Sequence, residues 1–208
     1  MLTLSQLAAF LLAAVLITAT PGPDNLMVLG IGLSRGRRQG VAFGLGCALG
    51  CLSHTLWAVV GVSAAVAASP LAFTVLKWLG GAYLAWLGVQ ALRSSGAARI
   101  DAADGADPSL RSLFLKGVFA NAINPKVVLF FLSFLPQFVV PEQGQVALQL
   151  GLLGILFTAQ AALLFGLLGH FAGAVGAWMS RRPRAGLWLD RVAGLVFVAL
   201  ALRLVTSR

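Results

Sequence analysis

Long apolar runs separated by short polar stretches divide the chain into six parts. They cover about residues 4–33, 40–68, 71–92, 109–138, 145–178 and 187–205. Each is long enough for a hydrocarbon core of roughly 30 Å, which a helix crosses in about 20 residues. Residues 40–68 and 145–178 contain no Asp, Glu, Lys or Arg. The pattern predicts an all-α integral membrane protein with six transmembrane helices. The first and fourth runs are longer than one crossing requires, and each is interrupted. The first contains Thr20-Pro21-Gly22-Pro23-Asp24-Asn25, and the fourth contains Asn121-Ala122-Ile123-Asn124-Pro125-Lys126. A proline ring removes a backbone donor and clashes with the preceding turn. At membrane depth, freed backbone groups persist only where protein or a water-filled cavity satisfies them. Helices 1 and 4 are therefore expected to be broken, and two matched breaks point to the binding site of a secondary transporter.

Composition agrees. The chain is 59% hydrophobic and 10% charged, a balance that excludes a soluble domain of 208 residues. A net charge of +9 would suggest a nucleic-acid partner in a soluble protein. Here the basic residues lie between apolar runs, where they set topology, and no nucleic acid is implied. Arg35, Arg37 and Arg38 separate runs one and two; Arg93, Arg99 and Arg111 separate three and four; Arg181, Arg182 and Arg184 separate five and six. The alternate connections, around Ala68-Ser69-Pro70 and Pro141-Glu142-Gln143, carry no Lys or Arg. The positive-inside rule makes the basic loops cytoplasmic and places both termini outside, with Arg203 and Arg208 opposing weakly. Trp178 and Trp188 flank the third basic loop, as residues of an aromatic belt would. A bacterial plasma membrane, crossed several times, is the expected location. The N-terminal apolar run lacks the basic n-region of a cleaved signal peptide.

Residues 1–208 read as one transporter domain. A first repeat covers about 1–92, a Ser-, Gly-, Ala- and Asp-rich cytoplasmic loop about 93–108, and a second repeat about 109–208. Asp107-Pro108 reads as an N-cap and first-turn proline opening helix 4. Three spans per half make the second half enter from the opposite side, giving two inverted three-helix repeats. Pro23 then corresponds to Pro125, Gly40 to Gly144 and Gly81 to Gly194. Glycines four apart (Gly32, Gly36, Gly40, Gly44; Gly46, Gly50; Gly169, Gly173) let helices approach closely in lipid. They suit packing inside the bundle, and a homo-oligomer face stays open. Cys47 and Cys51 share one helix face as small packing residues, since their spacing does not suit a disulfide.

Asp24 is the one acid well inside a run, where a charge costs at least ~2.5–3.5 kcal/mol and needs a cavity, a partner or a proton. It could carry the coupling proton, or simply cap the resumed helix from Asn25 to Leu33, and the two roles are compatible. Asn124-Pro125 has the same N-cap signature, and Lys126 follows it at depth. An Asp24–Lys126 pair beside a cavity is the expected arrangement. Two helix N-termini facing that cavity suit a carboxylate, while Asp24, Asn25, Asn121 and Asn124 offer acceptors to an ammonium. A zwitterionic amino acid fits both. Pro21, Gly22, Pro23, Asp24, Asn25, Asn121, Asn124, Pro125 and Lys126 form the expected substrate and ion site. His54, Thr158 and Gln160 are secondary candidates. His54 with Cys51 and Cys47 could ligate a soft metal, but no second cluster supplies further ligands, so no metal and no cofactor are expected. His-Glu-x-x-His and paired intramembrane acids are absent, which argues against an intramembrane enzyme. A structural subunit gives no account of paired breaks carrying charges.

Thr-Pro-Gly-Pro at 20–23 with Asn-Pro-Lys at 124–126 resembles the lysine exporter/threonine exporter (LysE/RhtB) family. Gly40 to Gly50, Leu79-Gly80-Gly81-Ala82-Tyr83-Leu84 and Phe130-Phe131-Leu132-Ser133-Phe134-Leu135-Pro136-Gln137-Phe138 extend the likeness over essentially the whole chain. The resemblance implies export of amino acids or close derivatives from the cytoplasm, driven by proton antiport, with small zwitterions, protons and the bilayer as partners. Export of another small solute or a metal ion is the alternative.

Overall fold

The computed structural model describes residues 2–94, 108–182 and 184–206. Among them are nine α-helices and no strand. They are α1 (Leu4–Ala19), α2 (Pro23–Arg35), α3 (Arg37–Ala68), α4 (Pro70–Arg93), α5 (Leu110–Ala122), α6 (Pro125–Phe134), α7 (Val146–His170), α8 (Ala172–Arg181) and α9 (Ala185–Thr206). Short 3-10 turns at Leu135–Phe138 and Pro141–Gln143 join α6 to α7.

Local chemistry explains the ends. The Thr3 hydroxyl caps α1 by accepting from the Gln6 N–H, and the Gln6 side chain accepts from the Thr3 N–H at 2.8 Å, a reciprocal capping box. α1 stops ahead of Pro21. α2 opens with Pro23 at its first position and Gly22 as an N-cap that makes no side-chain bond. This corrects the expectation that Asp24 is the cap: Pro23, with φ preset for the first turn, starts the helix one residue earlier and puts Asp24 inside it. α1 and α2 meet at 57°. α5 begins after Ser109, whose hydroxyl accepts from the Ser112 N–H at 3.2 Å. Pro108 therefore precedes the helix instead of occupying its first turn, and Asp107 lies outside the described residues. α5 ends at Ala122, and α6 restarts at Pro125, the Asn124 carbonyl accepting from the Val127 and Val128 N–H groups at 3.0 and 3.1 Å. The fifth run is divided at Phe171, which its apolar pattern does not signal. Gly36 alone joins α2 to α3 at φ 102°, a backbone conformation that costs glycine little.

Among the described residues, α3, α7 and α9 are each long and apolar enough to cross a membrane, and α1 with α2 adds a fourth if the bent pair is one span. α3 lies at the centre, against α7, α5 and α2, while α4 packs along α9. Glycines set these distances. A Cβ on Gly40 would lie 2.8 Å from the Gly32 Cα of α2 and 3.2 Å from the Gly169 Cα of α7. One on Gly46 would run into the Phe114 carbonyl of α5, and one on Gly88 of α4 would lie 3.0 Å from the Gly194 carbonyl of α9. Gly32, Gly40, Gly44, Gly46, Gly50 and Gly169 thus serve contacts within the bundle, whereas Gly36 is the linker and Gly173 has open space beside it. Phe10 of α1 stacks on Phe134 of α6 at 5.7 Å, and Phe130 and Phe131 carry the aromatic cluster on to Phe157 of α7. The buried Gln149 amide bonds both the N–H and carbonyl of Val140 and the Gly144 carbonyl, which fixes the turn entering α7.

Candidate functional site

The two interruptions face one another. Asp24, in the first turn of α2, is buried, and both its carboxylate oxygens accept side-chain amides from the other break. Asn121 Nδ2 donates to Oδ2 at 2.7 Å, and Asn124 Nδ2 donates to Oδ1 at 3.1 Å. A carboxylate only accepts, so both amides must turn their NH₂ groups toward it. Asp24 also lies at the positive end of α2, which favours an acidic side chain there. α5 ends and α6 restarts within three residues, and that is what lets Asn121 and Asn124 reach the same acid.

Further polar contacts hold the first break. Asn25 Nδ2 donates to the Thr18 carbonyl at 2.9 Å, and Gln160 Nε2 of α7 donates to the Thr18 hydroxyl at 2.9 Å. The Thr20 hydroxyl donates to the Leu16 carbonyl at 2.8 Å, closing the end of α1. The Thr18 carbonyl and the Thr18 and Thr20 hydroxyls are thus partnered by protein, as an apolar setting demands. On the far side of Asn121, His54 Nε2 lies 3.0 Å from the Asn121 carbonyl. That carbonyl can only accept, so Nε2 carries the proton, and buried Nδ1 has no hydrogen-bond partner. The Asn121 Oδ1 and Gln160 Oε1 acceptors are likewise buried without a partner.

Beside Asp24 is a cavity of about 50 Å³, space for a few water molecules at roughly 10–15 Å³ each. Thr18, Thr20, Asp24, Asn25, Asn121 and Asn124 form its polar side; Leu87, Phe130, Phe157, Phe165 and Phe197 form its apolar side. The lining thus offers contacts to a cationic or hydrogen-bonding group and to an apolar one.

The structure brings together Asp24, Asn25, Asn121 and Asn124, with Gly22 and Pro23 on the cavity wall. Pro21 stands in the break but not on that wall. Pro125 and Lys126 open α6, and their side chains lie outside the described residues, as does the expected Asp24–Lys126 pair. Gln160 reaches the break through Thr18. Thr158 is half-buried on α7, its hydroxyl enclosed without a partner, and it is not on the cavity wall. His54 bonds to the α5 backbone instead of joining a metal set, and Cys47 and Cys51 are free buried thiols. Among the described residues no group of three or more His, Cys, Asp or Glu is placed to hold a metal ion. Sequence reasoning missed Thr18, Thr20 and the phenylalanine wall. A threonine inside an apolar run is a weak signal, and phenylalanine in a span gives no signal separating cavity from core.

A family model described as LysE type translocator matches residues 15–208. The chain belongs to the LysE-type translocator family. It is 32% identical over 201 residues to the homoserine/homoserine lactone efflux protein of Salmonella typhimurium, covering 96% of each chain. An uncharacterized membrane protein of Vibrio cholerae is equally similar, at 32% over 201 residues and 96% of each chain. The leucine efflux protein of Klebsiella pneumoniae is 30% identical over 202 residues, covering 95% of this chain and 93% of that protein. No solved structure matches the chain. As a LysE-type translocator, the protein is a membrane transporter and not an enzyme, and the Asp24 cluster sits within the matched region.

Proposed function

We propose that this translocator exports amino acids, or small zwitterions closely related to them, from the cytoplasm, with protons moving inward in exchange. The observation that carries this reading is Asp24 of one interrupted segment held by Asn121 and Asn124 of the other. A substrate ammonium can displace those amides at the carboxylate, and a proton can replace the ammonium. The positive ends where α2 and α6 begin suit the substrate carboxylate. The names of the relatives, homoserine and leucine efflux proteins, support an amino-acid cargo.

Six spans in two inverted halves remain our reading of the architecture. Under it, α1–α2, α3 and α4 correspond to α5–α6, α7–α8 and α9. The packing of α3 on α7 and of α4 on α9 then pairs equivalent helices across the halves. Alternating access, with the two halves rocking apart, would open this cavity to each side of the membrane in turn. The arginines of the connections are cytoplasmic in this reading and both termini lie outside, in a bacterial plasma membrane.

Inverted membrane vesicles test the proposal. With the lumen acidified, labelled amino acids should accumulate in vesicles containing the wild-type chain, and Asp24→Asn should abolish that gradient-dependent uptake. Folded protein that accumulates none of a full amino-acid panel sinks the cargo assignment. Uptake indifferent to pH sinks proton exchange alone.

A further inference from the structure

Away from the central site, a groove of about 670 Å³ opens where α8 turns into α9. Trp178, Arg182 and Arg184 form one part of it, and Ala185, Trp188, Leu189 and Val192 of α9 the other. The Arg182 guanidinium lies 5.9 Å from the centre of the Trp178 ring, so the ring face steadies the cation while its in-plane N–H donors remain available. Asp190, the acid nearest in sequence, accepts from the Ser94 hydroxyl of α4 at 2.6 Å and is not on the groove wall. The first turn of α9 contains no acid, so its positive end is not neutralised locally. Below the arginines, Leu189, Val192 and Leu195 continue down α9 as an exposed apolar line, at the three-residue spacing of one helix face.

We infer that this groove binds an anionic phospholipid. The phosphate sits against Arg182 and Arg184, Trp178 and Trp188 mark the head-group level, and an acyl chain follows Leu189, Val192 and Leu195. Tryptophan favours the membrane–water interface, and basic pockets between spanning helices recognise anionic head groups. A free phosphate would use the arginines but not the apolar line, and the two occur together here. The site is separate from the Asp24 cavity and does not depend on which solute is carried.

The experiment uses the full chain in nanodiscs of phosphatidylcholine, with or without phosphatidylglycerol. Native mass spectrometry reads retained lipid, and thermal melting reads stabilisation. Wild type should retain phosphatidylglycerol and melt higher in its presence. Arg182→Gln with Arg184→Gln should retain roughly thirty-fold less, at the strength expected for two basic side chains near an anionic surface. That variant should melt like wild type in phosphatidylcholine alone, which shows it folded. Arg37→Gln with Arg38→Gln, on another basic connection, should keep the lipid. Equal retention by both double variants, or equal loss, overturns the site. So does stabilisation by inorganic phosphate alone matching that of the lipid, or a two-copy mass with lipid excluded.

Discussion

Asp24 and Asn121, 97 residues apart, meet through a 2.7 Å hydrogen bond inside the bundle. Asn124 closes on the other oxygen of the same carboxylate. One acid therefore ties the start of α2 to both ends of the second break. Any movement that separates the breaks must give this acid a new partner, and substrate and proton are the candidates that the proposed cycle provides.

Asp24→Asn preserves size but removes the charge, and it places amide against amide. Gradient-driven uptake should fall at least about tenfold, the scale of one lost charge-assisted contact, with folded yield largely kept. Asp24→Leu should also lower thermal stability, because two buried amides lose their acceptor at about 1–3 kcal/mol each. Melting and vesicle transport on the two variants separate these effects. Wild-type uptake in Asp24→Asn would remove this acid from the transport path.

Gln160 and Thr18 should behave as a coupled pair. Their bond joins α7 to the first break, and such bonds between helices in membranes average about 0.6 kcal/mol with a maximum near 1.7. Gln160→Leu and Thr18→Val should each destabilise, and combining them should cost less than the sum. A double-mutant cycle by reversible unfolding measures this, and strict additivity would mean the bond contributes nothing.

His54→Gln should retain more stability than His54→Leu. Glutamine can still offer an N–H to the Asn121 carbonyl, whereas leucine leaves that acceptor buried and unpaired at about 1–3 kcal/mol. Equal stability of the two variants would show that the bond is dispensable. Chelator should leave wild-type transport unchanged. Inhibition reversed by added metal would reinstate a soft-metal role for His54 and the nearby thiols.

Gly46→Ala should be among the most damaging single-methyl changes. Its Cβ would run into the Phe114 carbonyl where α3 crosses α5. Overpacking of this kind costs about 1–3 kcal/mol, and displacement of α5 would carry Asn121 away from Asp24. Gly173→Ala, with open space beside it, should be near neutral. Comparing their melting temperatures and uptake tests whether close helix approach is the reason for the glycine.

Much of this was legible in the chain. The apolar runs locate the helical stretches closely because a bilayer demands length and low charge, both of which are local properties. Pro21, Pro23 and Pro125 locate the interruptions because a missing N–H and a ring clash act within one turn. Asp24 stood out because a charge inside an apolar run needs an explanation wherever it lies. The four-residue glycine spacing likewise marked faces of close approach.

Other features depended on the tertiary structure. Asn121 and Asn124 as the partners of Asp24, Thr18 as the hub for Asn25 and Gln160, and the phenylalanine wall all require knowing how α2, α5, α6 and α7 are arranged in space. Chemical type and spacing along the chain determined which groups must find partners in an apolar medium. Only packing, which brings together residues 97 and 142 apart, decided which partners they found.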